Sequence, residues 1–140
     1  MNEINRKTTI IPVDKLHGKG RPRTTRTGQV YTDPNDRLYE ADIREKFIER
    51  CGDDMRYFDG PVTIEIVFTR PLPKSRPKRE NGSPDLRKPD TDNLVKTVFD
   101  ALNGVAWRDD AQIVKLIASK GDLYHGAPTT IYLDIIYLEV

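Results

Sequence analysis

The chain has 140 residues, of which 36% are hydrophobic and 32% charged, and its formal net charge is +1. That length suits one domain spanning residues 1–140 with a modest core, part of which a partner subunit could complete. No apolar run approaches the roughly 18 residues a membrane span needs, residues 1–7 lack the apolar segment of a secretory signal, and Cys51 has no second cysteine to pair with, so a cytoplasmic protein is expected.

Residues 8–13 are β-branched and predict a short strand, with Pro12 marking an edge or an end. A basic loop follows at 15–30, broken by glycine and proline in Gly18-Lys19-Gly20-Arg21-Pro22-Arg23. Asp33-Pro34-Asn35 starts a helix in which Leu38, Ala41, Ile43 or Arg44, Phe47 and Ile48 recur at helical spacing. Cys51-Gly52 ends it, because glycine readily adopts a C-terminal cap conformation. Residues 61–69 alternate and predict a strand with Val62, Ile64, Ile66 and Phe68 on its buried face. Residues 70–89 form a second basic loop, and five of the ten prolines in its last 19 positions predict that it is mobile. A second helix is expected from about Asp92 to Leu102, with Leu94, Val95, Val98, Phe99 and Leu102 buried and Asn103-Gly104 as its stop. Strands at 113–119 and 130–138 complete the order βαβαββ. The fold class is α/β, more closely an α+β sandwich: one mixed sheet covered by two helices.

Charge distribution says more than the net value. Residues 15–29 carry Lys15, Lys19, Arg21, Arg23 and Arg26 without an acid, and the second loop carries Lys74, Arg76, Lys78 and Arg79, whereas acids collect at 90–110. Lys19, Arg21, Arg23, Arg26, Lys74, Arg76, Lys78 and Arg79 are therefore candidates for phosphate contact on DNA. A merely solvated charge run is the competing reading for either loop.

The chemistry-bearing segments are Lys88-Pro-Asp-Thr-Asp-Asn-Leu-Val-Lys96 and Trp107-Arg-Asp-Asp110. In extended backbone Asp90 and Asp92 point to one side, and Lys96 lies one helical turn beyond Asp92. If the strand starting at Ile113 lies beside the helix N-terminus, Asp109 and Asp110 join them. Crowded carboxylates are costly without a cation, and hard oxygen ligands suit Mg²⁺, with Mn²⁺ able to substitute. His17, His125 and one cysteine argue against zinc. Taken alone, Asp-x-Asp-Asn before a helix is more often a capping motif, with Asp92 or Asn93 as the cap. An EF-hand fails, since its sixth and twelfth positions would be Val95 and Ala101 instead of glycine and glutamate. Asp109-Asp110 could be a simple turn, Asp100 is at least as well suited to pairing with Lys96, and Trp107 reads as a core or interface anchor. With no Ser-His or Cys-His arrangement in view, water is the expected nucleophile.

These residues, with Phe99-Asp-Ala-Leu-Asn-Gly104 and Val105–Val114 between and after them, resemble the signature of RusA-type crossover-junction endodeoxyribonucleases, a family commonly encoded by phages and prophages. The resemblance implies a homodimeric, Mg²⁺-dependent resolvase of four-way (Holliday) junction DNA acting in recombination and repair. By position it implies that Asp90, Asp92 and Asp110 hold the metal and are catalytic, that Lys96 is the catalytic lysine, and that Asp109 assists. The basic loop at 70–88 is longer than in the shortest members. Two other functions stay open on the residues alone: a cleavage-silent junction-binding accessory protein, and a metal-dependent phosphatase, which would need a closed pocket.

Overall fold

The structure, a computed structural model, describes residues 2–20, 23–31 and 33–140, with Arg23 described in its backbone only. In chain order it contains β1 (Asn2–Pro12), β2 (Arg23–Thr24), β3 (Val30–Tyr31), α1 (Pro34–Cys51), β4 (Val62–Thr69), α2 (Thr91–Leu102), β5 (Ile113–Lys120) and β6 (Thr130–Glu139). Short 3₁₀ turns stand at Lys78–Glu80 and Asp110–Gln112. One mixed sheet has the order β1-β6-β4-β5. β6 runs antiparallel to both β1 and β4, and β5 runs parallel to β4.

The expected α+β class and element order are found, because the apolar periodicity is clear where it matters. Val62, Ile64, Ile66 and Phe68 of β4 are buried and alternate with half-buried residues, so one face of the strand is committed to a core. Ile131, Leu133, Ile135 and Tyr137 of β6 share that face. Ile43 and Phe47 of α1, and Leu94, Val95, Val98, Ala101 and Leu102 of α2, cover it from the same side. Among the described residues the opposite face of the sheet has no helix on it. There Arg6 of β1 donates two hydrogen bonds to Asp134 (2.8 and 2.7 Å), Thr8 donates a third (2.9 Å), and Asp134 stands opposite Glu65.

Four expectations need correction. β1 begins at Asn2, well before residue 8, because its polar N-terminal half is held by pairing with β6 and not by burial. The first basic loop contains a small hairpin, β2–β3, closed by Thr25 N–H to the Gln29 carbonyl and turned by Gly28 at φ +85°. Leu38 and Ile48 of α1 are exposed, and the helix meets the core through buried Ile43 and Phe47 with half-buried Tyr39 and Cys51 beside them. Helical spacing alone could not separate a wide apolar stripe from a narrow one.

The fourth correction concerns residues 70–89, expected to be mobile. They are pinned at several points. The Arg70 guanidinium donates to both oxygens of Asp85 (2.6 and 2.9 Å) and to the Arg87 carbonyl (3.0 Å). Gly82 N–H reaches the Leu123 carbonyl (2.7 Å), Leu123 N–H reaches the Ser83 carbonyl (2.9 Å), and the His125 ring bonds the Arg76 carbonyl (2.7 Å). Composition signalled disorder, but a buried charge pair and a backbone bridge supply the ordering that apolar burial does not.

Burial pushes the Asp85 carboxyl up, but the Arg70 guanidinium, the Arg87 N–H and Lys120 more than offset it and hold its pKa below the ordinary aspartate range. A depressed carboxylate contributes stability that is complete above its unfolded value, about pH 4, and is lost as pH falls through its folded one. Asp85→Asn should therefore lower stability by about 2 kcal/mol at pH 7, since it leaves Arg70 half-paired. The gap between wild type and variant should narrow as pH falls below about 4 in thermal unfolding followed by circular dichroism; equal stabilities at pH 7 would show that this pair does not hold the segment.

Candidate active site

β4 and β5 are parallel, so the chain must travel back along the sheet between them, and α2 is that return. Asp90 is its N-cap, with extended φ −67° and ψ 151°. The expected cap was Asp92 or Asn93. The helix starts one residue earlier, and the Asp90 carbonyl accepts from Leu94 N–H (3.1 Å). The Asp90 side chain does not cap. It turns outward, half exposed, to the Lys88 ammonium (2.7 Å). Asp92 lies in the first turn, exposed, with no hydrogen-bond partner among the described residues, and Lys96 is exposed one turn further on. Two carboxylates therefore stand at a positive helix end whose amide groups Asp90 leaves free. Because Asp92 is helical, the alternation argument does not apply to it; the closeness of the pair comes from adjacency in sequence.

Asp110 is placed differently from the expectation. Its Oδ2 accepts from the Asn103 side chain (3.2 Å), and Asn103 is the C-cap of α2. A helix of 12 residues is about 18 Å long. Asp110 thus stands at one end of α2, and Asp90 and Asp92 at the other. Among the described residues no three of His, Cys, Asp or Glu are grouped to hold a metal ion. Convergence of the three aspartates within one chain is not found. Asp109 is also engaged locally: its N–H donates to Gln112 Oε1 (2.7 Å), and Gln112 in turn bonds the Phe58 and Gly60 carbonyls (2.7 and 2.9 Å).

Asp110 is held firmly nonetheless. Trp107 is fully buried, packs edge-on against Phe99 at 5.9 Å, and donates its indole N–H to Asn103 Oδ1 (2.7 Å). With its oxygen occupied, the Asn103 amide must present its NH₂ to Asp110. Trp107 is the core anchor the sequence suggested. Asn103 is a site residue that sequence reading took only for a helix stop. Its signal was there, an asparagine four residues before a tryptophan, but only the turn between them brings the two together.

The basic candidates divide. Lys19 is wedged between Glu40 (2.6 Å) and Asp100 (3.1 Å), and its N–H bonds the Asn93 carbonyl (3.3 Å). Burial lowers its ammonium pKa, but Glu40 and Asp100 outweigh this and hold it above the ordinary lysine value. Lys19 is an anchor for the first loop, and Asp100 pairs with it instead of Lys96. Gly18 permits the same docking, since a Cβ there would stand 2.8 Å from Pro89 Cβ. Buried Asp36 completes it, bonded to the His17 ring and to Gly20 N–H (3.2 Å). Arg76 is paired with Glu80 (2.9 Å). Lys74, Lys78 and Arg79 are exposed without a salt bridge among the described residues, and Arg26 is exposed in the hairpin turn. Arg21 and the Arg23 side chain lie outside the described residues. An open groove of about 450 Å³ runs between the two loops to Pro89, and Lys15, Arg70, Arg87 and Lys88 line it.

The geometry is that of an open, positively lined groove ending at a pair of solvent-facing aspartates. The family model for endodeoxyribonuclease RusA matches residues 15–135, most of the chain. The chain belongs to the endodeoxyribonuclease RusA family. It is also 36% identical over 115 residues to the uncharacterized protein YqaN of Bacillus subtilis (strain 168), covering 73% of this chain and 78% of that one. The family acts on Holliday-junction DNA, and membership makes this chain a nuclease of the endodeoxyribonuclease class. No helix among the described residues is long and apolar enough to cross a membrane.

Lys19→Ala should cost about 1–2 kcal/mol of stability, because it leaves Glu40 and Asp100 unpaired, with little change in how DNA affinity depends on salt. Lys78→Ala should leave stability unchanged and flatten the slope of log affinity against log salt by about 1. Filter binding across a salt series, with thermal melts of both variants, checks the pair; the reverse assignment of effects would restore Lys19 as a phosphate contact.

Proposed function

We propose that this chain is a homodimeric, Mg²⁺-dependent endodeoxyribonuclease that makes paired hydrolytic nicks in four-way junction DNA, with Mn²⁺ able to replace Mg²⁺. One observation carries the reading. The Asp92 side chain has no partner among the described residues, Asp90 faces outward beside the basic groove, and Asp110 accepts from Asn103 at the other end of α2. A protein that only bound DNA would gain nothing from the exposed Asp92 carboxylate beside phosphates.

The donor set is hard oxygen and fits a Mg²⁺ ion, but one chain supplies only Asp90 and Asp92 at one place. A two-fold partner with its α2 antiparallel would bring the partner's Asp110 to them, and the second site would form by the same operation. Each site is then Asp90, Asp92 and the partner's Asp110. When bound, the ion supplies positive charge at the scissile phosphate and makes a water a better nucleophile at neutral pH. Asp90 and Asp92 are the residues of this chain that would hold that ion. Lys96, without an ion pair among the described residues, places an ammonium where negative charge grows on the phosphoryl oxygens. Asn103, fixed by the Trp107 indole, holds the Asp110 carboxyl aimed. Lys15, Arg87, Lys88, Lys74, Lys78 and Arg79 hold the flanking strands by their phosphates. Two identical sites related by a two-fold axis suit a junction of near two-fold symmetry, which needs one nick in each of two opposed strands.

Asp90→Asn and Asp110→Asn should each bind a four-way junction normally and fail to cleave it with Mg²⁺, and EDTA should do the same to wild type. Mixed in equal amounts and allowed to exchange subunits, the two inactive variants should regain nicking. Random pairing leaves about a quarter of the wild-type sites intact, all of them in heterodimers. No recovery after verified exchange would place all three aspartates' work within one chain or end the metal-site reading.

A further inference from the structure

We propose that Leu86 is an apolar wedge that enters the base stack at the branch point of the junction, close to the phosphate that is cut. The inference rests on the nuclease reading above and names the residue that tells a branch from a plain duplex.

Leu86 is 88% exposed, more than any other large apolar side chain of the described residues except Val140 at the C-terminus. Single exposed leucines are common on protein surfaces and by themselves mean little. Two features set this one apart: how firmly its backbone is held, and what surrounds it.

The residues on both sides of Leu86 are fastened. Asp85 is buried and accepts two hydrogen bonds from the Arg70 guanidinium (2.6 and 2.9 Å). Its Oδ1 also accepts from the Arg87 N–H (3.2 Å), which closes the chain into a tight turn with Leu86 at its tip. The Arg87 carbonyl accepts from Arg70 (3.0 Å) and from the Lys120 ammonium (2.6 Å). Leu86 therefore stands out from an ordered turn, and little further backbone entropy is lost when something packs on it.

The surroundings select what packs there. Arg87 and Lys88 follow Leu86 in the chain and line the basic groove with Arg70 and Lys15. The centre of a protein interface is depleted in charged residues, lysine among them. An apolar tip ringed by cations is thus a poor seat for another protein. It suits nucleic acid: the cations take the phosphates, and one apolar side chain slides between two bases, as leucine does in proteins that kink DNA. Four residues separate Leu86 from Asp90, a reach of at most about 14 Å. Bases rise about 3.4 Å per step along a strand, so the wedge meets the DNA within about four steps of a phosphate at Asp90 and Asp92.

Discrimination follows from the cost of unstacking. Parting two stacked bases inside a duplex is unfavourable, and least so where pairing or stacking is already broken. At a branch the strands leave one helix for another and the stack is open to entry. Leu86 enters there and stays outside a continuous helix. Phosphate contacts alone do not register that difference.

The test uses the full chain and a four-way junction carrying 2-aminopurine at the branch, whose fluorescence rises when the base is unstacked. In EDTA, saturating wild type should raise the signal. Leu86→Ala should leave it near the value of free DNA, and Leu86→Met should restore it. Leu86→Ala should also bind the junction about tenfold more weakly. Its affinity for duplex of the same length, and the salt slope there, should not change, because no phosphate contact is lost. Its thermal unfolding should match wild type, since the side chain is exposed in the free protein. An equal rise in fluorescence with Leu86→Ala, or an equal loss of affinity on junction and duplex, would overturn the inference. So would a changed sedimenting mass, which would make Leu86 a contact between protein chains. Cleavage is read separately. If wild type nicks the junction with Mg²⁺ and Leu86→Ala matches it in both binding assays, the nuclease reading stands and the wedge falls. If wild type unstacks the branch through Leu86 and nicks nothing, the wedge stands and the nuclease reading falls.

Discussion

Parallel strands cannot be joined by a tight turn, and that constraint shapes this molecule. β4 and β5 lie side by side in the same direction, so the connection must return across the sheet, and α2 is the return. Its buried stripe, Leu94, Val95, Val98, Ala101 and Leu102, fixes it against β4 and β6. Everything attached to its ends inherits their separation. Asp90 and Asp92 sit where the helix begins and Asp110 where it has ended, and no side-chain rotation spans a helix of that length. A site requiring all three must draw on two chains.

Around this rigid centre, charge serves two purposes that composition does not separate. Lys19 and Arg70 are basic residues in basic loops, yet each is consumed by carboxylates of the fold, Glu40 with Asp100 and Asp85 respectively. They dock the loops beside Pro89 and Asn93. Lys74 and Lys78, exposed and without a salt bridge among the described residues, are then carried on an ordered loop. A near-neutral chain can bind a polyanion in this way because its acids neutralise the cations that build the scaffold and leave the others free.

Apolar periodicity was legible wherever one side of an element is buried. The alternation in β4 and the stripe of α2 named their core residues, although Phe99 is only half-buried. α1 was less legible, since Leu38 fits its spacing and faces solvent. The ordering of residues 70–89 was not legible at all, because it depends on Arg70 finding Asp85 and on Gly82 finding Leu123 across a long stretch of chain.

The local pattern of residues determined the element order, the core face of the sheet, and the family signature from Lys88 to Val114. These are properties of neighbours in sequence, where spacing and backbone geometry suffice. Tertiary structure alone decided which cations are free, what orients Asp110, and how far it lies from Asp90. Those depend on contacts between distant segments, and the distance follows from a helix laid along a sheet, which no run of neighbouring residues contains.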